Sequence, residues 1–194
     1  MRRNLSLILG GAGSGKSHFA ESLIAQEKSV LYIATTDPSR LHLDSEMQAR
    51  IEAHRKRRPA HWHTHTEPYH LPQYLHTIAT KAPCILIDSL TLWLANSLER
   101  GNDPHTLSTE LITALQQQQG RTLIVSHDVS SGIIPTNAVA RHFVYASGTL
   151  HQHIAAIAHN VIYVTAGIPS WLKGNPKLKK TTTAETRQSQ QHNE

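Results

Sequence analysis

Residues Gly10 to Ser17 read Gly-Gly-Ala-Gly-Ser-Gly-Lys-Ser, and no other segment constrains this 194-residue chain as tightly. They fit the pattern G-x-x-x-x-G-K-[ST], with the apolar run LSLIL ahead and the helical run SHFAESLIAQ behind. Glycines admit positive φ and let backbone N–H groups approach an anion, and the helix that follows adds its positive end. Gly10, Gly11, Ala12, Gly13, Ser14, Gly15, Lys16 and Ser17 are therefore expected to wrap the phosphates of ATP or GTP. Lys16 is expected to reach the β- and γ-phosphates, and the Ser17 hydroxyl to ligate Mg²⁺.

The rest of the chain alternates short apolar runs with helical stretches. Leu5–Leu9, Val30–Ala34, Cys84–Ile87, Thr122–Val125 and Val161–Thr165 read as buried strands. Ser17–Glu27, Leu43–Arg58, Leu90–Leu98, Leu107–Gln119 and His151–His159 read as helices. Strands separated by helices require crossover connections, which predicts a three-layer α/β fold around a mainly parallel sheet. The length suits one domain, expected over 1–172. From Lys173 to Glu194 the chain is polar and basic with two prolines, and a disordered tail is expected there.

An acid at the end of a later strand is needed to hold the metal, directly or through water. Asp88, closing CILID, is the first candidate and Asp128, three residues beyond TLIV, the second. Both also suit the cap of a following helix or turn.

The formal net charge is +5 and the pI about 9.5. Much of the surplus sits in two runs, Arg55-Lys56-Arg57-Arg58 and Lys173, Lys177, Lys179, Lys180. No aromatic-interleaved basic patch accompanies them, so the expected partner is a phosphorylated small molecule and not nucleic acid. Cys84 is the only cysteine, which rules out an internal disulfide and fits a reducing compartment. The apolar run after Arg2 and Arg3 is too short for a signal peptide, and no run approaches membrane-spanning length. A cytoplasmic protein is expected.

Ser45 and Gln48 form a capping box, so the basic helix is expected to begin near Ser45. Met47, Ile51 and His54 then share one face, with Arg50 and Arg57 flanking the histidine. A neutral imidazole among guanidiniums is a competent nucleophile toward phosphorus. A histidine in the last turn is equally explained by the helix dipole, and a basic run by solvation. Spacing leaves both readings of His54 open.

The joint presence of EMQARIEAHRKRRPAHW and ILIDSLTLWLANSL behind the glycine loop is far more specific than the loop itself. With LYIATT, GIIPTNAVARHF and the helix containing Gln152, it resembles the bifunctional adenosylcobinamide kinase / adenosylcobinamide-phosphate guanylyltransferase family of cobalamin biosynthesis, from about Leu5 to Gly167. The resemblance implies phosphorylation of a corrinoid, adenosylcobinamide, by a nucleoside triphosphate. It further implies GMP transfer from GTP through a covalent guanylyl-histidine. The family's histidine falls on His54, with Lys16 as the other catalytic residue. Nucleotide contacts fall on Gly10 to Ser17, on Ala34, Thr35 and Thr36, on Arg55, Lys56, Arg57 and Arg58, and on Glu67 and Asp88. Ser17 and Asp88 are the implied metal ligands, and a RecA-like P-loop fold in a homotrimer is implied for the whole. Gly13 stands where family loops carry arginine, Thr66 before Glu67 where an acidic pair is common, and His127-Asp128-Val129-Ser130 where Asn-Glu-Val-Gly is usual. His151 stands in place of an asparagine.

Two other classes share the loop: a kinase of another small molecule with a structural His54, and a non-catalytic nucleotide-dependent module using the basic run on RNA. Fifteen histidines also raise a metal reading, since His61, His63 and His65 alternate along a strand and His151 and His153 repeat the spacing. No Cys-x-x-Cys or H-E-x-x-H accompanies them, and a polar strand is the reading preferred here.

Overall fold

The computed structural model describes residues 4–39 and 45–174. Within the helix over 45–57 it leaves the side chains of residues 45–47, 50, 54 and 57 undescribed. The expectations for residues 43 and 44 and for the tail from 175 onward lie outside the described residues.

Among the described residues seven strands form one sheet, in the order β3-β2-β4-β5-β1-β6-β7. These are β1 (Asn4–Gly10), β2 (Leu31–Ala34), β3 (His63–Thr66), β4 (Cys84–Asp88), β5 (Arg121–His127), β6 (Asn160–Thr165) and β7 (Ile168–Lys173). All neighbours pair in parallel except β6 with β7, which are antiparallel. Among the described residues six helices accompany them: α1 (Lys16–Ile24), α2 (Ser45–Arg57), α3 (Leu71–Ile78), α4 (Leu90–Glu99), α5 (Pro104–Gln117) and α6 (Ala138–Ile157).

The central strands are apolar on both faces because helices cover both. On one face Leu7, Ile33, Ile85, Ile87 and Ile124 meet α3, α4, α5 and α6 through Leu71, Leu75, Trp93, Leu111 and Ile154. On the other, Ile8, Tyr32, Leu86, Leu123 and Val125 meet Phe19, Ala20 and Ile24 of α1. Burying each large apolar side chain contributes about 1.5–3 kcal/mol, so the two faces together carry most of the stability. Helix starts are set by caps. Ser89, Asp103 and Asn137 accept from Leu92, Thr106 and Ala140 N–H at the starts of α4, α5 and α6.

The five expected strands are all present, and helix α3 and strand β7 add to them. Helix α3 begins with Pro72 in its first turn. The β6–β7 hairpin turns on Ala166 and Gly167, with φ of 50° and 78°. Helix α6 begins at Ala138, well before the expected His151. His63 and His65 do lie on a strand, β3, but His61 precedes it, its Nε2 3.2 Å from the Glu27 carbonyl. His151 and His153 are helical, so their spacing points them apart: His151 meets Ser126 and His153 meets Ser108, each at 2.7 Å.

Candidate active site

The carboxyl ends of β1, β5, β4 and β2 line up, and the candidate site is built on them. After β1 the chain turns through the glycine loop into α1, which starts from Gly15 at φ 88°. A Cβ on Gly10 would sit 2.5 Å from the Val164 carbonyl, and one on Gly15 3.2 Å from Gly167 Cα, so both places are closed to side chains. Gly13, at φ 66°, opens on free space. The Ser14 carbonyl accepts from Gly167 N–H at 2.8 Å, tying the loop to the β6–β7 turn.

Lys16 is 5% exposed and donates to the Gly11 carbonyl at 3.0 Å, curling over the loop. Burial lowers its pKa, while the negative charge of Asp88 raises it. The Asp88 charge thus acts on Lys16 across β5, which lies between the two strands. Asp88 accepts from the Tyr32 hydroxyl at 3.0 Å. Burial, with the Asp88 charge second, raises the Tyr32 pKa and keeps the phenol protonated.

Ala34 pairs with Asp88 across β2 and β4. Thr35 is fully buried: its hydroxyl donates to the Ser89 carbonyl at 2.6 Å and accepts from Ser89 N–H at 3.0 Å. Its carbonyl accepts from Asn96 Nδ2 at 2.9 Å. Thr35 thus braces the turn after Asp88, and Thr36 beside it is half-buried. Asp128 sits at the end of β5, its N–H on the Gly10 carbonyl at 3.1 Å. Burial pushes its carboxyl up, but hydrogen bonds from Ser131, Ser130 and Tyr163 outweigh this and hold it at about 2. Its oxygens are engaged by Ser130 and Ser131 of their own loop and by Tyr163 of β6, whereas the Asp88 carboxylate carries only the Tyr32 bond among the described contacts.

The remaining candidates divide. Arg58 lies with its guanidinium 3.5 Å from the centroid of the Tyr32 ring, on the α1 face of the sheet. Arg55 and Lys56 are exposed on α2. Glu67 Oε1 accepts from Tyr69 and His70 N–H at 3.2 and 2.8 Å, capping the approach to α3. His54 and Arg57 lie on the backbone of α2, one turn and one residue before Arg58; their side chains are outside the described residues. Among the described residues, no three His, Cys, Asp or Glu side chains cluster to hold a metal. Tyr32 was missed by sequence reasoning, which saw only a core strand residue in VLYIA.

The donor set of Ser17 and Asp88, one hydroxyl and one carboxylate, is all oxygen and suits a hard cation shared with phosphate and water. A glycine loop with no room for a side chain at Gly10 or Gly15, a buried lysine curled over it, and a strand-end acid whose charge acts on that lysine define a P-loop nucleotide-binding protein of α/β architecture.

Comparison with known proteins gives the particular lineage. The cobinamide kinase / cobinamide phosphate guanyltransferase family model matches residues 6–172. A relative from Pseudomonas aeruginosa, the bifunctional adenosylcobalamin biosynthesis protein CobP, is 44% identical over 174 residues, covering 88% of this chain and 98% of the relative. The protein CobU of the same description from Escherichia coli K12 is 37% identical over 177 residues, covering 84% and 96%. The Salmonella typhimurium CobU shows the same identity and coverage. The chain belongs to the cobinamide kinase / cobinamide phosphate guanyltransferase family. A solved RadB recombinase superposes with a TM-score of 0.46 at 14% identity, covering 82% of this chain and 73% of that one. No described helix is long and apolar enough to cross a membrane.

Proposed function

We propose that this chain phosphorylates the hydroxyl of adenosylcobinamide with ATP or GTP and then transfers GMP from GTP to the product through guanylylated His54. The observation that carries the reading is a physical link between the two halves of the chemistry. Arg58, four residues after His54, stacks on Tyr32, and Tyr32 donates to Asp88 in the phosphate site. The base of the histidine helix is thereby fixed to the face on which the loop presents its phosphates.

In the kinase step, positioning and charge neutralisation dominate. Backbone N–H groups of residues 11–17 and the Lys16 ammonium hold the phosphates and take up charge on the transferred group. Ser17 and Asp88 would hold Mg²⁺, which when bound neutralises phosphate charge. In the guanylyl step the neutral imidazole of His54 attacks the α-phosphorus of GTP, the bond to pyrophosphate breaks, and the corrinoid phosphate then displaces the histidine. Two displacements each use an activated phosphorus, which a single one would not. Arg55, Lys56, Arg57 and Arg58 supply cations around that transfer. Residues 1–172 form the catalytic domain in this reading, with a polar tail behind it. The protein acts in the cytoplasm, in keeping with its one buried cysteine and no possible internal disulfide, and as a homotrimer, which the family resemblance alone suggests.

GTP labelled at the α-phosphate should leave label on the protein, stable to base and labile to acid. His54→Ala should remove it. Label that persists in this variant overturns the role of His54, and γ-phosphate transfer without any labelled protein would reduce the chain to a kinase alone.

A further inference from the structure

Strand β5 lies between the strand of the glycine loop and the strand of Asp88, and its last residue is His127. His127 is in register with Gly10. Side chains alternate along β5: Ile124 joins the core against α4–α6, whereas Leu123 and Val125 join the core against α1. His127 therefore projects on the α1 side, where Lys16 begins its helix. It is half-buried and stands in the field of both Lys16 and Asp88.

Its neighbour Ser126 projects to the opposite face and is completely buried. There a line of hydrogen bonds starts at the backbone of His127. The His127 N–H donates to Thr91 Oγ1 at 2.6 Å, Thr91 Oγ1 meets Ser126 Oγ at 2.7 Å, and Ser126 Oγ meets His151 Nε2 at 2.7 Å. Thr91, Ser126 and His151 are each at least nine-tenths buried. Because Thr91 already accepts from the backbone, every hydroxyl proton is used when Thr91 donates to Ser126 and Ser126 donates to His151. That direction requires Nε2 of a neutral His151 as the terminal acceptor. Three elements, α4, β5 and α6, are thus joined at the one backbone N–H that sets where the His127 ring stands.

We propose that His127 is a phosphate-facing residue of the site and that His151 is its positioning residue, acting through Ser126 and Thr91. This rests on the reading of Lys16 and Asp88 as the triphosphate site. The imidazole of His127 would donate to a phosphate oxygen of the bound nucleotide, and the buried line would hold the end of β5 rigid against displacement by the ligand. A relocation of about 1 Å in such a group is enough to cost up to a hundredfold in rate.

The test uses the full-length protein and the kinase step with ATP. His127→Ala, His151→Ala and Ser126→Ala should each lower kcat about tenfold, with KM for ATP changed less than about twofold. The double variant His127→Ala/His151→Ala should be no slower than His127→Ala alone, since both act through one ring. Multiplying losses, or an unchanged kcat in His151→Ala, would overturn the proposal. Should the alanine variants fail to fold, His151→Asn and ring NMR replace them. Adding a non-hydrolysable ATP analogue should shift the His127 imidazole resonances in the parent protein and shift them less in His151→Asn. No movement of those resonances on binding the analogue overturns the phosphate-facing role. Failure of the parent protein to bind the analogue at all would instead sink the underlying reading of the site.

Discussion

Tyr32 donates its hydroxyl to Asp88 across 3.0 Å, while the Arg58 guanidinium rests 3.5 Å from the centroid of the same ring. One side chain, 2% exposed, thus joins the acid that ends β4 to the end of the basic helix. An isolated strand tyrosine would need only to bury its ring; this one also orients a carboxylate. Tyr32→Phe keeps the ring and the stack and removes only the donor. We expect it to lower stability by about 1.5–3 kcal/mol, the net contribution of one hydrogen bond to a charged partner. The kinase kcat should fall with it, and urea denaturation beside steady-state kinetics would separate the two effects. Unchanged kcat would mean that Asp88 is oriented without Tyr32.

Arg58 tests the other side of the same ring. Arg58→Met preserves the aliphatic stem and removes the cation, which at a partly exposed stack contributes about 0.5–1 kcal/mol. Since Arg58 holds the base of α2 and not the loop, labelling of His54 by GTP should slow more than the kinase step does. Equal losses in both steps would place Arg58 in a purely structural role.

The glycines of the loop should differ sharply in tolerance, because they are glycine for different reasons. At Gly10 a Cβ meets the Val164 carbonyl at 2.5 Å, so Gly10→Ala must move backbone. At Gly15 the left-handed φ of 88° adds to a 3.2 Å contact with Gly167 Cα. At Gly13 only the φ of 66° opposes a side chain, and the space is open. Gly13→Ala should cost about 1–2 kcal/mol, the usual left-handed penalty, and keep nucleotide affinity. Thermal melts and nucleotide titrations should rank the damage Gly10→Ala, then Gly15→Ala, then Gly13→Ala.

Much of this arrangement was legible in the residues themselves. LSLIL, CILID and TLIV are buried on both faces, and an unbroken apolar run signals that directly. The glycine loop, and the place of Asp88 at the end of β4, were legible because a loop of this pattern and an acid after an apolar run both mark strand ends. Strand β3, with the sequence HTHT, is an edge strand whose pairing to β2 satisfies the backbone while its side chains stay largely exposed, so hydrophobicity marks it poorly. The first half of α6 was hidden by Gly148 and by exposed Val139 and Tyr145, although Asn137 was a visible cap. Strand β7 did have a signal, the Ala166-Gly167 pair between two β-prone runs, and it went unused. Tyr32, Thr91 and Ser126 could not be found by pattern. Each looks like an ordinary strand or helix residue until the fold brings its partner, 35 or more positions away, to its hydroxyl.

His151 supplies a pH test that is independent of catalysis. In an unfolded chain an imidazole titrates near 6.5. In the fold burial lowers this to about 4, with the Asp128 charge opposing. Because the folded value is depressed, the unfolded chain binds a proton that the native state refuses at any pH between those two. Stability contributed by neutral His151 is therefore full above about 6.5 and is lost as pH falls toward 4, a loss of about 3 kcal/mol at most. His151→Asn has no such proton to bind. Urea midpoints for parent and variant, measured side by side from pH 7 to pH 4.5, should show the parent's advantage shrinking steadily as pH falls. The other fourteen histidines are common to both proteins and cancel in the difference. An advantage that stays constant across that range would show that His151 is not held neutral, and the direction of the hydrogen bonds from Thr91 to Ser126 to His151 would then have to be reversed.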